Sequence, residues 1–75
     1  MPEAFILINC DIGKENDVVK YLRDIEDIKE VQATIGIYDV VAKLESKTEK
    51  DLRDTVDLEI RKIRPINYVL MLQSS

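Results

Sequence analysis

The chain has 75 residues, room for one small domain spanning 1–75 and not for two. Its 15 acidic and 11 basic side chains give a formal net charge of −4, against the phosphate neutralisation that direct nucleic-acid binding needs. It has no His and one Cys, which excludes histidine acid–base catalysis, His-ligated zinc, an internal disulfide and a paired-cysteine metal site.

Residues 4–10 (AFILINC) form a nearly continuous apolar run rich in β-formers, which predicts a first strand. Asp11, Ile12 and Gly13 connect it to a stretch in which Val18, Tyr21, Leu22 and Ile25 recur at helical spacing among charged residues. That spacing predicts an amphipathic helix with Tyr21 in the core. Val31, Ala33 and Ile35 then alternate with Gln32 and Thr34, the period-two pattern of a half-buried strand. Gly36, Ile37 and Tyr38 turn the chain, and a further strand follows over 40–44, so the pair is a hairpin.

Thr48 stands three residues before Asp51, a capping arrangement for a second helix. Leu52, Val56, Ile60 and Ile63 supply that helix's apolar face, and Pro65 stops it. Its acids and bases read as a solvated face with pairs four residues apart. A last strand is expected over 66–72, with Gln73, Ser74 and Ser75 as a loose tail.

The order β-α-β-β-α-β is that of an α+β, ferredoxin-like sandwich: a four-stranded antiparallel sheet with two helices on one face. An internal near-repeat supports it. A shift of 38 residues carries Ala4 onto Ala42, Val18 onto Val56, Arg23 onto Arg61, and Ile25, Ile28 and Val31 onto Ile63, Ile66 and Val69. Strand alternation puts Ala4, Ile6, Ile8, Val31, Ala33, Ile35, Val40, Ala42 and Leu44 under the helices. The opposite face carries Phe5, Leu7, Val41, Tyr68, Leu70 and Leu72, too much apolar surface to leave in water. A domain this small buries only about 60% of its unfolded surface. Both points predict a homodimer with those residues in its interface.

The chain has no apolar run long enough to span a membrane and no signal peptide, so it is expected to be soluble and cytoplasmic, with no membrane partner. Charged residues at 35%, with two Gly and two Pro, are the composition of a thermostable protein rich in surface ion pairs. Cys10 reads as a buried, inert thiol, having no cationic neighbour in sequence to stabilise its thiolate.

Gly36, Tyr38 and Asp39, in GIYDVV, are the most informative cluster. A hairpin turn explains them, since Gly accepts positive φ and Asp bonds nearby amides. A small-ligand site explains them too, with Asp39 receiving an ammonium group. No catalytic set, cofactor motif or metal site is present, and enzymatic activity is not expected.

The strand AFILINC, the Gly13 turn, the segment IEDIKEVQATIGIYDVVAKLE and the stretch IRKIRPINYV resemble the effector-binding domain of the Lrp/AsnC transcription regulators. The most specific element is G-x-Y-D-x-V, formed by Gly36, Tyr38, Asp39 and Val41. The first strand follows directly on Met1, Pro2 and Glu3, so the chain resembles the stand-alone form, called RAM, without the helix-turn-helix domain. The resemblance implies dimers formed through the sheets and rings of dimers, often octamers. It also implies an amino acid bound beside the hairpin, at the positions matched by Gly36, Tyr38 and Asp39. The chain departs from the family where relatives show T-x-T on the last strand, carrying Val69 and Met71 instead. Three roles follow as expectations: a regulatory module that binds a small effector, a purely structural partner of full-length regulators, or an ACT-like amino-acid-sensing domain.

Overall fold

The computed structural model describes residues 1–74. Its elements are β1 (Glu3–Cys10), α1 (Glu15–Arg23), β2 (Ile28–Ala33), β3 (Val40–Glu45), α2 (Glu49–Asp54) and β4 (Ile66–Ser74), and α2 continues directly into a π-helical segment, Thr55–Ile60. The strands form one antiparallel sheet in the order β2-β3-β1-β4. This is the expected ferredoxin-like α+β sandwich.

Gly13 makes the tight entry to α1, with φ of 84°, a conformation that a side chain strains. Val18, Val19 and Leu22 turn inward from α1. The hydroxyl of Thr48 caps α2, accepting the Asp51 N–H at 3.0 Å. Ion pairs Lys50–Asp54, Arg53–Glu49 and Arg61–Asp57 line the solvent side at the expected four-residue spacing. The widened turn is closed by the Arg61 N–H bonding the Val56 carbonyl, five residues back. It keeps Val56 and Ile60 buried and leaves Leu58 in solvent.

The core lies between sheet and helices. It contains Ala4, Ile6, Ile8, Val40, Ala42, Leu44 and Val69 from the strands, packed with Val18, Leu22, Leu52, Val56 and Ile60. The strand faces therefore sort as alternation predicts. Four local expectations need correction. Tyr21 is 57% exposed, because Val18, Val19 and Leu22 already fill the buried stripe of α1. Ile35 lies beyond the end of β2 and is wholly exposed, because the apolar alternation outlasts the paired strand by one repeat. Ala33 is exposed as well, at the end of an edge strand that the helical layer does not reach. Gln73 and Ser74 belong to β4, paired with Ala4 and Glu3, and are not a tail. Ser75, the remaining tail residue, lies outside the described residues.

One polar node ties the end of the molecule opposite the hairpin. Asp27 Oδ2 accepts the hydroxyls of Ser46 at 2.6 Å and Thr55 at 3.1 Å. Both hydroxyl residues are buried, and their pairing leaves no buried side-chain polar atom unsatisfied among the described residues.

Candidate functional site

The β2–β3 connection carries Gly36, Tyr38 and Asp39 on one short hairpin. Gly36 has φ of 138°, outside the range that L-residues adopt comfortably, so the glycine is what lets the chain reverse here. The loop is closed by the Thr34 N–H donating to the Asp39 carbonyl at 2.9 Å and the Thr34 hydroxyl donating to the Tyr38 carbonyl at 2.7 Å. Ile35 and Ile37 flank the glycine in full solvent, while Tyr38 and Asp39 are half-buried.

Asp39 also fastens the hairpin to β1. Its N–H donates to the Ile8 carbonyl at 2.9 Å, and its carboxylate Oδ2 accepts the Cys10 N–H at 2.9 Å. The β1–β4 pairing is irregular at this point: Asn9 faces Tyr68 and Cys10 faces Ile66, so Asn67 is the extra residue of a bulge on β4. The Cys10 amide lies past the last β1–β3 pair, Ile8 with Val40, and Asp39 receives it in place of a strand partner. The carboxylate thus has a structural bond on one oxygen and retains acceptor capacity for a cationic group on the other.

The thiol of Cys10 is buried beside this carboxylate. Burial raises its pKa, and the negative charges of Asp39, Glu15 and Asp11 raise it further. A thiol held protonated is a poor nucleophile. No cluster of His, Cys, Asp and Glu that could hold a metal ion occurs among the described residues.

The second candidate surface is the face of the sheet turned away from the helices. Strand register places Phe5 opposite Leu72, Leu7 between Leu70 and Val41, and Tyr68 opposite Asn9. Phe5, Tyr68 and Leu72 are about half exposed, at 47%, 50% and 50%. Lys43 and Glu3 pair at 3.7 Å on the same face. Val69 and Met71 pair with Ile8 and Ile6 and so belong to the helix-covered side, where they offer no hydroxyls.

Sequence patterning does not reveal the fastening of Asp39 to Cys10, nor the node of Asp27, Ser46 and Thr55. These contacts span 29, 19 and 28 positions and carry no local signal.

No family model matches the chain. It is 38% identical over 55 residues to the HTH-type transcriptional regulator FL11 of Pyrococcus horikoshii, a match covering 73% of this chain and 36% of that regulator. The chain thus matches little more than a third of its curated relative's length. Among solved structures, FFRP-DM1 superposes with a TM-score of 0.96 at 33% identity, each chain covered completely. E. coli AsnC has the same fold at 19% identity, with a TM-score of 0.90 over 97% of this chain and 50% of AsnC. The transcriptional regulator NMB0573 of Neisseria meningitidis, solved as a complex with L-Met, shares it at 13% identity, with a TM-score of 0.86 over 99% and 49%. No helix among the described residues is long and apolar enough to cross a membrane.

Proposed function

From the premise that this chain belongs to the Lrp/AsnC family of transcriptional regulators, we propose that it is a non-enzymatic effector-binding and oligomerisation module. It takes a small effector, an amino acid, at the β2–β3 hairpin, and it assembles through the open sheet face. The observation that carries the ligand part is Asp39. Its carboxylate is pinned by the Cys10 amide beside Gly36 and Tyr38, so a negative charge stands in fixed geometry on an otherwise uncharged hairpin. A fixed carboxylate suits an ammonium group, because little side-chain entropy remains to be lost on binding. The L-Met complex of NMB0573 supports the choice of ligand class, as does the family resemblance.

The assembly part rests on the half-exposed Phe5, Tyr68 and Leu72 beside Leu7, Val41 and Leu70. A second copy facing this surface gives a homodimer, and dimers meeting at their hairpins give a ring, up to an octamer. Ile35 and Ile37, exposed at the hairpin tip, supply apolar surface for that second contact. Through such assemblies the module modulates transcription, by way of regulators that carry DNA-binding domains.

A second reading is favoured by the same hydrogen bond. If Asp39 serves only to hold Cys10, the module is a purely structural partner of full-length regulators and needs no ligand. Calorimetry against a panel of amino acids separates the two. Saturable heat with one of them supports the effector reading, and no heat with any of them removes it.

A further inference from the structure

At the β2 edge of the sheet lies a cleft of 680 Å³, lined by residues that include Phe5, Val41, Lys43, Glu30, Lys29 and Arg23. Its volume falls within the roughly 300–1,000 Å³ of small-molecule sites. None of Gly36, Tyr38 and Asp39 lines it. The cleft passes from the open face, where Phe5 and Val41 lie, around the edge strand to Arg23 at the end of α1.

The local backbone is irregular here. Ile28 pairs with Leu44 and Glu30 with Lys43, so Lys29 is the extra residue of a bulge on the edge strand. Bulges re-aim a side chain, and a lysine on an edge also discourages strand-to-strand aggregation. The charge around it is unusual for this protein. Three cations, Arg23, Lys29 and Lys43, line the cleft with a single carboxylate, Glu30, on a chain whose net charge is −4. Lys43 is shared with Glu3, whereas Arg23 and Lys29 enter none of the ion pairs among the described residues.

We propose that this cleft binds a small organic anion, a carboxylate with a short apolar body. Arg23 offers a planar fork that matches a carboxylate, and Lys29 adds a mobile point charge. Phe5 and Val41 give the apolar part a floor. A zwitterion fits less well, because its ammonium group meets three cations and one carboxylate. The inference rests on the sheet-face reading in one respect: in that dimer the second sheet roofs the cleft over Phe5 and Val41, with Arg23 and Lys29 at its mouth.

The test is an amide NMR titration of the intact chain with hexanoate, and in parallel with inorganic phosphate and alanine. The expected result is saturable shifts with hexanoate at residues 29–31 and 41–43, unmoved signals at 36–39, and weaker effects of phosphate and alanine. Arg23→Gln and Lys29→Gln, both at exposed positions, should each weaken hexanoate about tenfold without unfolding the chain. Absence of saturable shifts at millimolar hexanoate overturns the proposal, as does equal binding of phosphate, or unchanged affinity in both variants. Light scattering on the same samples reads the mass separately, so a monomer overturns the sheet-face reading while the shifts still decide the cleft.

Discussion

Asp39 and Cys10 stand 29 positions apart, and the Asp39 carboxylate accepts the Cys10 backbone N–H at 2.9 Å. One side chain therefore joins the hairpin to the end of β1 and presents charge at the hairpin surface. These two duties are separable by substitution.

Asp39→Asn keeps an acceptor for Cys10 and removes the charge. Hydrogen bonds to charged groups contribute about 1.5–3 kcal/mol, so amino-acid affinity should fall by roughly 10- to 100-fold with the melting temperature nearly unchanged. Asp39→Ala removes the acceptor as well and leaves the Cys10 amide unpaired, at a cost of about 1–3 kcal/mol. Affinity and melting temperature measured on one preparation of each variant check this. Unchanged affinity in Asp39→Asn assigns the residue to the fold alone.

The node at the other end of the molecule should carry comparable weight. Asp27→Ala strands the buried hydroxyls of Ser46 and Thr55 together, with a loss of about 1–3 kcal/mol for each unsatisfied group. For a domain of this size each kcal/mol lowers the melting temperature by roughly 4–8 °C. Asp27→Asn retains an acceptor oxygen and should recover part of the loss. Thermal melts of the two variants give the comparison, and equal melting of Asp27→Ala and the native chain contradicts it.

How far patterning alone reaches is clear from the same residues. Period-two alternation places Phe5, Leu7, Val41, Tyr68, Leu70 and Leu72 on one face, and strand register agrees for all of them. Alternation works because a slip of one residue would invert every side chain. It fails at Ile35, where the apolar pattern outlasts the hydrogen-bonded ladder, since β2 ends at Ala33. Helical spacing fails at Tyr21 for a related reason: a ring that fits the periodicity still goes to solvent when aliphatic neighbours fill the groove. It also gives no warning that α2 widens after Asp54. In the hairpin, Gly36 and Asp39 are visible as turn residues, but the partner of Asp39 is fixed only by tertiary placement.

Cys10 should respond to pH in a defined direction. Its folded pKa lies above the unfolded value of 9.0, so the native state holds its proton where the unfolded chain has released it. The associated stability is complete below about pH 9 and declines as pH rises from the unfolded value through the folded one. Cys10→Ala should flatten that alkaline decline. The native thiol should also resist alkylation near neutral pH until the chain is unfolded. Denaturant melts across the alkaline range test the sign, and stability that rises there in the native chain relative to Cys10→Ala contradicts it.

Leu70→Asp tests the open face. Burying a side chain of this class contributes roughly 1.5–3 kcal/mol before ordering costs, and a carboxylate placed there lacks a partner. The variant should be monomeric or unfolded, which sedimentation and circular dichroism distinguish. A stable dimer of unchanged mass would show that this face is not the interface.

The most direct measurement is the solution mass of the native chain by light scattering, with and without a panel of amino acids. At least twice the 8.7 kDa chain mass is expected without ligand. A further change in mass is expected with the amino acid that binds at the hairpin. A monomer at every concentration, unmoved by any amino acid, would contradict both the sheet-face dimer and the hairpin site.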